Sequence, residues 1–189
     1  MSPSYLTDVN YPPFPQQKAA ADRENRLPYY LVEPQDVLDP DRSGIIVVPG
    51  ASGKPAVNTA DAIPNILRQA KDSGLATMMK QAMNNKDVTV ATVCGGSLLL
   101  AMDGLLKDKY AVTNQIGMGA LGALGAIPVN ARIVEDGPRL VTGGGVTSGL
   151  DVALYLVERE VGPQIANAIE KLFEYERRGT VWQARHTAD

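Results

Sequence analysis

The chain has 189 residues, of which 44% are hydrophobic, a formal net charge of −3 and a single cysteine. That length suits one domain with a substantial core. A slightly acidic balance without a basic patch points away from nucleic acid and anionic membranes, and one cysteine excludes an intramolecular disulfide and a cysteine-built metal cage.

Residues 1–28 read as irregular. Tyr11-Pro12-Pro13-Phe14-Pro15 fits neither a helix interior nor a central strand. Gln16 to Arg26 fits a short helix, and Tyr29-Tyr30-Leu31-Val32 a short strand. Asp39 to Gly44 is turn chemistry. Gly44-Ile45-Ile46-Val47-Val48 is then a continuous apolar run of strand length, as in a parallel strand buried on both faces. Pro49-Gly50-Ala51-Ser52-Gly53 follows at that strand's C-terminal end, where open parallel sheets bind ligands. It is no P-loop, because Val48 and Pro55 stand at the places of that motif's first glycine and its Ser/Thr.

Ile63, Ile66, Leu67 and Ala70 give Ala62–Ala70 helical spacing, and Leu75, Met78, Met79 and Met83 do the same for Leu75–Met83. A methionine stripe of that kind is core filling rather than a soft metal site. Val88 to Val93 is β-branched apart from Ala91, whereas Ser97 to Met102 is leucine-rich, so the two read as strand and helix. Cys94-Gly95-Gly96 is the sharp turn between them. A thiol there sits where unpaired N–H groups and the helix dipole favour a thiolate. The Gly95 N–H could hold a charge developing on a substrate, as in a nucleophile elbow built on a thiol. The alternative is an inert core cysteine.

Tyr110-Ala111-Val112-Thr113 reads as a further short strand. Gly117-Met118-Gly119-Ala120-Leu121-Gly122 matches a dinucleotide-binding spacing, but Gly125 and Pro128 leave no helix after it, so a close-packed Gly/Ala turn is expected. Arg132–Glu135 and Arg139–Thr142 flank the turn Asp136-Gly137 as two strands. Gly143 to Gly149 is a second glycine-rich turn, leading into an amphipathic helix from Leu150 to Val161. Gly162-Pro163 breaks it, a last helix runs to Tyr175, and the segment after Arg178 is extended. Strands alternating with helices predict an α/β sandwich around a mainly parallel sheet. With no leader pattern and no long apolar run, the expectation is a soluble protein of a reducing compartment, the cytoplasm.

Three stretches resemble the DJ-1/PfpI superfamily, and within it the isocyanide hydratase branch. They are Val47-Val48-Pro49-Gly50, then Val93 to Leu100 with Gly104 to Lys107 behind it, then Leu124 to Val129 with Val134 to Gly137 and Leu140 to Leu154, ending at Glu174-Tyr175. The resemblance implies a doubly wound α/β sandwich of the class I glutamine amidotransferase-like kind and a homodimer. The whole chain, 1–189, is then one domain: 1–43 diverged, 44–176 the core, 177–189 a tail. The family's nucleophile is matched by Cys94, and its acid, through Asp8-Val9-Asn10-Tyr11-Pro12, by Asp8. Gly50, Ala51, Gly95, Asn114, Gln115 and Gly145 fall at the substrate. The partner implied is a small molecule, with no cofactor and no metal. Hydration of an isocyanide comes first; a glyoxalase- or deglycase-like activity, diverged chemistry in the same pocket, or a non-catalytic sensor are the alternatives.

The chain departs from the pattern in three places. The family's opening strand has no counterpart in Met1–Thr7. Asn114 stands where many members carry a histidine after the threonine, and the only histidine, His186, lies in the tail. Gly95 replaces the threonine that follows the nucleophile in isocyanide hydratases.

Overall fold

The computed structural model describes residues 38–51 and 63–184. Asp8, the helix expected at Gln16–Arg26, the strand expected at Tyr29–Val32, the end of the Pro49–Gly53 loop and His186 lie outside them. Every described element belongs to the unit Asp39–Asp189.

β1 (Gly44–Val48) and β2 (Val88–Val93) pair in parallel from Gly44↔Val88 to Val48↔Thr92. Between them run α1 (Ile63–Ala70) and α2 (Ala76–Asn84). They are continuous through Lys71–Leu75, kinked where Gly74 takes φ 87, a conformation a side chain would resist. Met79 is buried in the core, as its stripe implies. After β2 come α3 (Gly96–Met102) and β3 (Tyr110–Ala111), then α4 (Met118–Ala123) and β4 (Ile127–Pro128). The chain closes with β5 (Ile133–Glu135), β6 (Leu140–Gly143), α5 (Ser148–Val161), α6 (Pro163–Leu172) and β7 (Val181–Gln183).

The main sheet has the order β1-β2-β6-β5-β7, and only the β5–β6 hairpin is antiparallel. The mainly parallel sheet is therefore as expected. Side chains alternate between its faces. Ala91, Val141 and Ile133 share one face and pack with Val152 and Leu156 of α5. Thr92 points to the opposite face, where it meets Ser97 of α3. Helices thus cover both faces, which is the doubly wound arrangement.

Five details differ from the sequence expectations. β1 is not buried on both faces: it ends the described sheet, and Ile45 and Val47 are exposed, so its apolar run marks a strand but not an interior one. The Gly117–Gly122 run is a 3-10 turn (Gln115–Gly117) passing into the six-residue α4, not a turn alone. Two of its three glycines are close-packed as expected: a Cβ on Gly117 would lie 2.9 Å from Leu98 Cδ1 and one on Gly122 3.1 Å from Pro128 Cγ, whereas Gly119 is exposed and a Cβ there would meet nothing within 4 Å. Packing here outweighs glycine's poor helix propensity. β3 is only two residues long and pairs with β4 in a separate small sheet. The last helix stops at Leu172, and the chain reverses at Glu174, φ 50. The extended segment is β7, which joins β5 and brings Trp182 within 4.9 Å of the Tyr110 ring.

Candidate active site

The β2–α3 turn is built by two close backbone approaches. A Cβ on Gly96 would lie 2.2 Å from Val48 O, so only glycine lets the start of α3 rest on the end of β1. A Cβ on Gly50 would lie 3.0 Å from Cys94 Cβ and 3.4 Å from Cys94 Sγ. The Gly50 loop and the cysteine therefore meet at one end of the sheet, beyond the C-terminal ends of β1 and β2.

Cys94 has φ 55, the left-handed region that an ordinary side chain seldom occupies. Such a conformation persists only where surrounding bonds hold it. Here Cys94 N donates to both Gly143 O, at 3.0 Å, and Gly144 O, at 2.9 Å. Its own carbonyl accepts from Thr113 Oγ1 at 2.6 Å. The side chain is half-buried.

Beneath the turn lies a set of buried hydroxyls. Ser97 Oγ donates to Val112 O at 2.7 Å. Its single proton is committed there, so Thr92 Oγ1 is the donor in the 2.6 Å Thr92–Ser97 bond. Val112 N donates in turn to Thr142 Oγ1 at 3.0 Å. These bonds join β2, α3, β6 and the exit from β3 into one unit around the cysteine.

Of the residues expected at a site, Gly50, Ala51 and Gly95 gather at Cys94. Ala51 N lies 3.7 Å from where a Cβ on Gly95 would stand. Asn114 and Gly145 are neighbours, the Asn114 Cβ lying 3.7 Å from a Cβ built on Gly145. Gln115 and Gly145 line a cavity of about 400 Å³ with Thr113, Met118, Asn130 and Arg132. Among the described residues its walls do not include Cys94, Gly50 or Ala51. Asn114 also acts locally, where its Oδ1 accepts from Gly117 N at 2.9 Å and caps the 3-10 turn.

Sequence reasoning misses Thr113, Arg132 and Asp151. Asp151, 1% exposed, accepts from Arg132 Nε, from Tyr175 Oη at 3.0 Å and from Arg178 N at 2.9 Å. The Asp151 bond, ahead of other causes, holds the Arg132 guanidinium above its ordinary pKa. Arg132 Nη2 also donates to Thr147 Oγ1 at 2.9 Å, and Arg132 O accepts from Gly144 N at 3.0 Å. It therefore clamps the turn whose carbonyls hold Cys94 N. Asp151 lies within the stretch that carries the resemblance, but nothing in the spacing links it to Arg132. Among the described residues no group of three or more His, Cys, Asp or Glu side chains forms a metal site, and no helix is long and apolar enough to cross a membrane.

An isonitrile hydratase of Pseudomonas putida is 46% identical over 86 residues, covering 46% of this chain and 37% of that protein. An HTH-type transcriptional regulator of Pseudomonas aeruginosa is 26% identical over 137 residues, covering 71% of this chain and 37% of the regulator. The crystal structure of a THiJ/PfpI family protein from Pseudomonas syringae superposes with a TM-score of 0.52 at 32% identity, covering 61% of this chain and 47% of that one. These matches span 37% of the length of each of the two curated relatives. The sequence profile of the DJ-1/PfpI family matches residues 32–159, more than half of the chain, and the chain belongs to that family.

Proposed function

We propose that the protein is a cysteine-dependent enzyme that hydrates an isocyanide to an N-substituted formamide. One observation carries this reading: Cys94 is a half-buried thiol held at φ 55 between a strand and a helix, with Gly50 against its sulfur. The likeness to an isonitrile hydratase over 86 residues supports the substrate class. Cys94 Sγ attacks the terminal isocyanide carbon and forms a carbon–sulfur bond. That carbon takes a proton from an acid and becomes a thioimidate. Water adds to it, the nitrogen is protonated, the carbon–sulfur bond breaks, and the formamide leaves with the thiol restored. The sum is one water added, with no change of oxidation state that needs a partner.

Asp8 is the proposed acid, with the backbone of Gly50, Ala51 and Gly95 around the reacting carbon. Asn114, Gln115 and Gly145 face the substituent. The test follows formamide formation from an alkyl or aryl isocyanide by NMR. Wild type should turn over, Cys94→Ala should form no product, and Asp8→Asn should lose hydration while Cys94 still alkylates. Absence of product from wild type with a reactive thiol would overturn the reading; full activity in Asp8→Asn would remove Asp8 from it.

A second reading, a ligand-sensing domain, is favoured by the regulator's likeness over 71% of this chain. It predicts a small molecule that binds wild type and Cys94→Ala alike and is recovered unchanged. The active unit in our reading is a homodimer working in the reducing cytoplasm. β1 ends the described sheet, with Ile45 41% and Val47 52% exposed, an edge that pairing could cover. Sedimentation should give twice the chain mass at micromolar concentration; a monomer there would refute the dimer.

A further inference from the structure

Cys94 and Gly95 share one peptide, and no peptide among the described residues is cis. In a planar trans peptide the carbonyl and the following N–H point in opposite directions. Fixing one therefore aims the other. The oxygen end is held by Thr113 Oγ1, which donates to Cys94 O at 2.6 Å from a side chain only 2% exposed. The other contact to this oxygen, from Ser97 N at 3.4 Å, is long. The nitrogen end lies beside the thiol. A Cβ built on Gly50 would be 3.1 Å from Gly95 N and 3.4 Å from Cys94 Sγ, so both atoms border the same small space.

We propose that Thr113 is a positioning residue that aims the Gly95 N–H at the space over the Cys94 sulfur. Local preference does not fix that peptide. Cys94 sits at φ 55, and Gly95, lacking a Cβ, resists rotation of the plane less than any other residue. Compensating changes in Cys94 ψ and Gly95 φ could swing the N–H away without moving β2 or α3. The Thr113 hydroxyl prevents this. It touches no reacting atom; it acts through a backbone donor at the carbon bonded to sulfur, where charge develops on attack. The catalytic part of this inference rests on the nucleophilic role proposed for Cys94; the orientation of the peptide does not.

Three variants separate the hydroxyl from the packing. Thr113→Val keeps the shape and loses the donor, whereas Thr113→Ser keeps the donor and loses the methyl. Thr113→Ala and Thr113→Ser differ by the hydroxyl alone, so that pair decides the matter even if the valine protein does not fold. Isocyanide hydration should fall about tenfold or more in kcat in the valine and alanine proteins, with KM little changed, and recover in the serine protein. Alkylation of Cys94 by iodoacetamide, which builds up no such charge, should stay near the wild-type rate in all. Loss of the methyl alone would move thermal stability but not this pattern. A crystal structure or amide NMR of the alanine and valine proteins should show the Cys94–Gly95 peptide rotated, and that of the serine protein should show it in place. A peptide unmoved without the hydroxyl overturns the inference. A rotated peptide in a protein whose wild type hydrates no isocyanide would keep it and sink the proposed reaction instead.

Discussion

Two buried polar sets flank the sheet and differ in kind. On the α3 face, under the cysteine, are Thr92, Ser97 and Thr142, all fully buried neutral hydroxyls, Thr92 bonded to Ser97, and Ser97 and Thr142 bonded to backbone. On the α5 face Glu135 accepts from Tyr155 Oη at 2.8 Å, Arg159 Nη1 at 3.1 Å and Gln183 Nε2 at 2.6 Å, and Asp151 gathers Arg132, Tyr175 and the Arg178 backbone. Both sets are well bonded, yet they do different things. Charges tie α5 to β5, β7 and the following chain over a wide area, at a desolvation cost their pairing must offset. Hydroxyls set the elbow with short-range bonds and add no charge beside the thiol. The lesson is that the hydroxyl bonds holding the Cys94 turn from the α3 side come from groups that do not titrate, whereas the cluster around Glu135 and Asp151 is ionic.

The largest effect should come from neither polar set. Gly96→Ala puts a Cβ 2.2 Å from Val48 O and 3.0 Å from Pro49 O, both backbone atoms that cannot step aside singly. We expect a loss of about 4 kcal/mol or more, or no folded protein. A denaturation midpoint near that of wild type would show that the elbow is not held by this backbone contact, and the contrast between the faces would lose its base.

The polar sets themselves can be ranked by deletion. Glu135→Ala leaves Arg159 without its inner partner, though Glu160 still pairs with it at 2.7 Å. It should therefore cost about 2–3 kcal/mol, below the full cost of breaking a buried pair. Ser97→Ala removes neutral bonds to Val112 O and Thr92 and should cost about 1–2 kcal/mol. Equilibrium unfolding of both variants checks the order. A costlier Ser97→Ala would mean that the hydroxyl frame, not the charged face, carries more of the stability.

The smallest effect is on pH dependence. Burial, and then the bond to Glu135, push the Tyr155 phenol up from 10.0 to about 12. A folded value above the unfolded one means that the neutral form is favoured in the fold. The contribution is thus complete below pH 10.0 and is lost as pH rises through about 12. Tyr155→Phe should flatten that alkaline loss and leave the curve near neutrality with the same shape. The Thr113 variants should not change it, because a threonine hydroxyl does not titrate in this range; a shared alkaline response would erase the distinction between the two sets.

Much of the frame was legible in the chain itself. The runs Gly44–Val48 and Val88–Val93, the Asp136-Gly137 hairpin and the glycine-led entry to α5 all appear where strand length, β-branching and turn chemistry place them. So does the thiol at a strand–helix turn, because two glycines between a β-branched and a leucine-rich segment let the chain turn abruptly there. Those signals are local, and each is complete within about ten residues. Only the tertiary structure decided that Val181–Gln183 is a strand of the main sheet, since an edge strand of three residues has no period to read until Ile133–Glu135 lies beside it. It likewise turned Gly117–Gly122 into the start of a helix by packing against Leu98 and Pro128, and made Asn114 the cap of the turn before it. Above all it joined Thr113 to Cys94 across 19 residues and Arg132 to Asp151 across another 19. A hydroxyl or a guanidinium has no preferred partner along the chain; burial and geometry choose one, and both exist only once the sheet has formed.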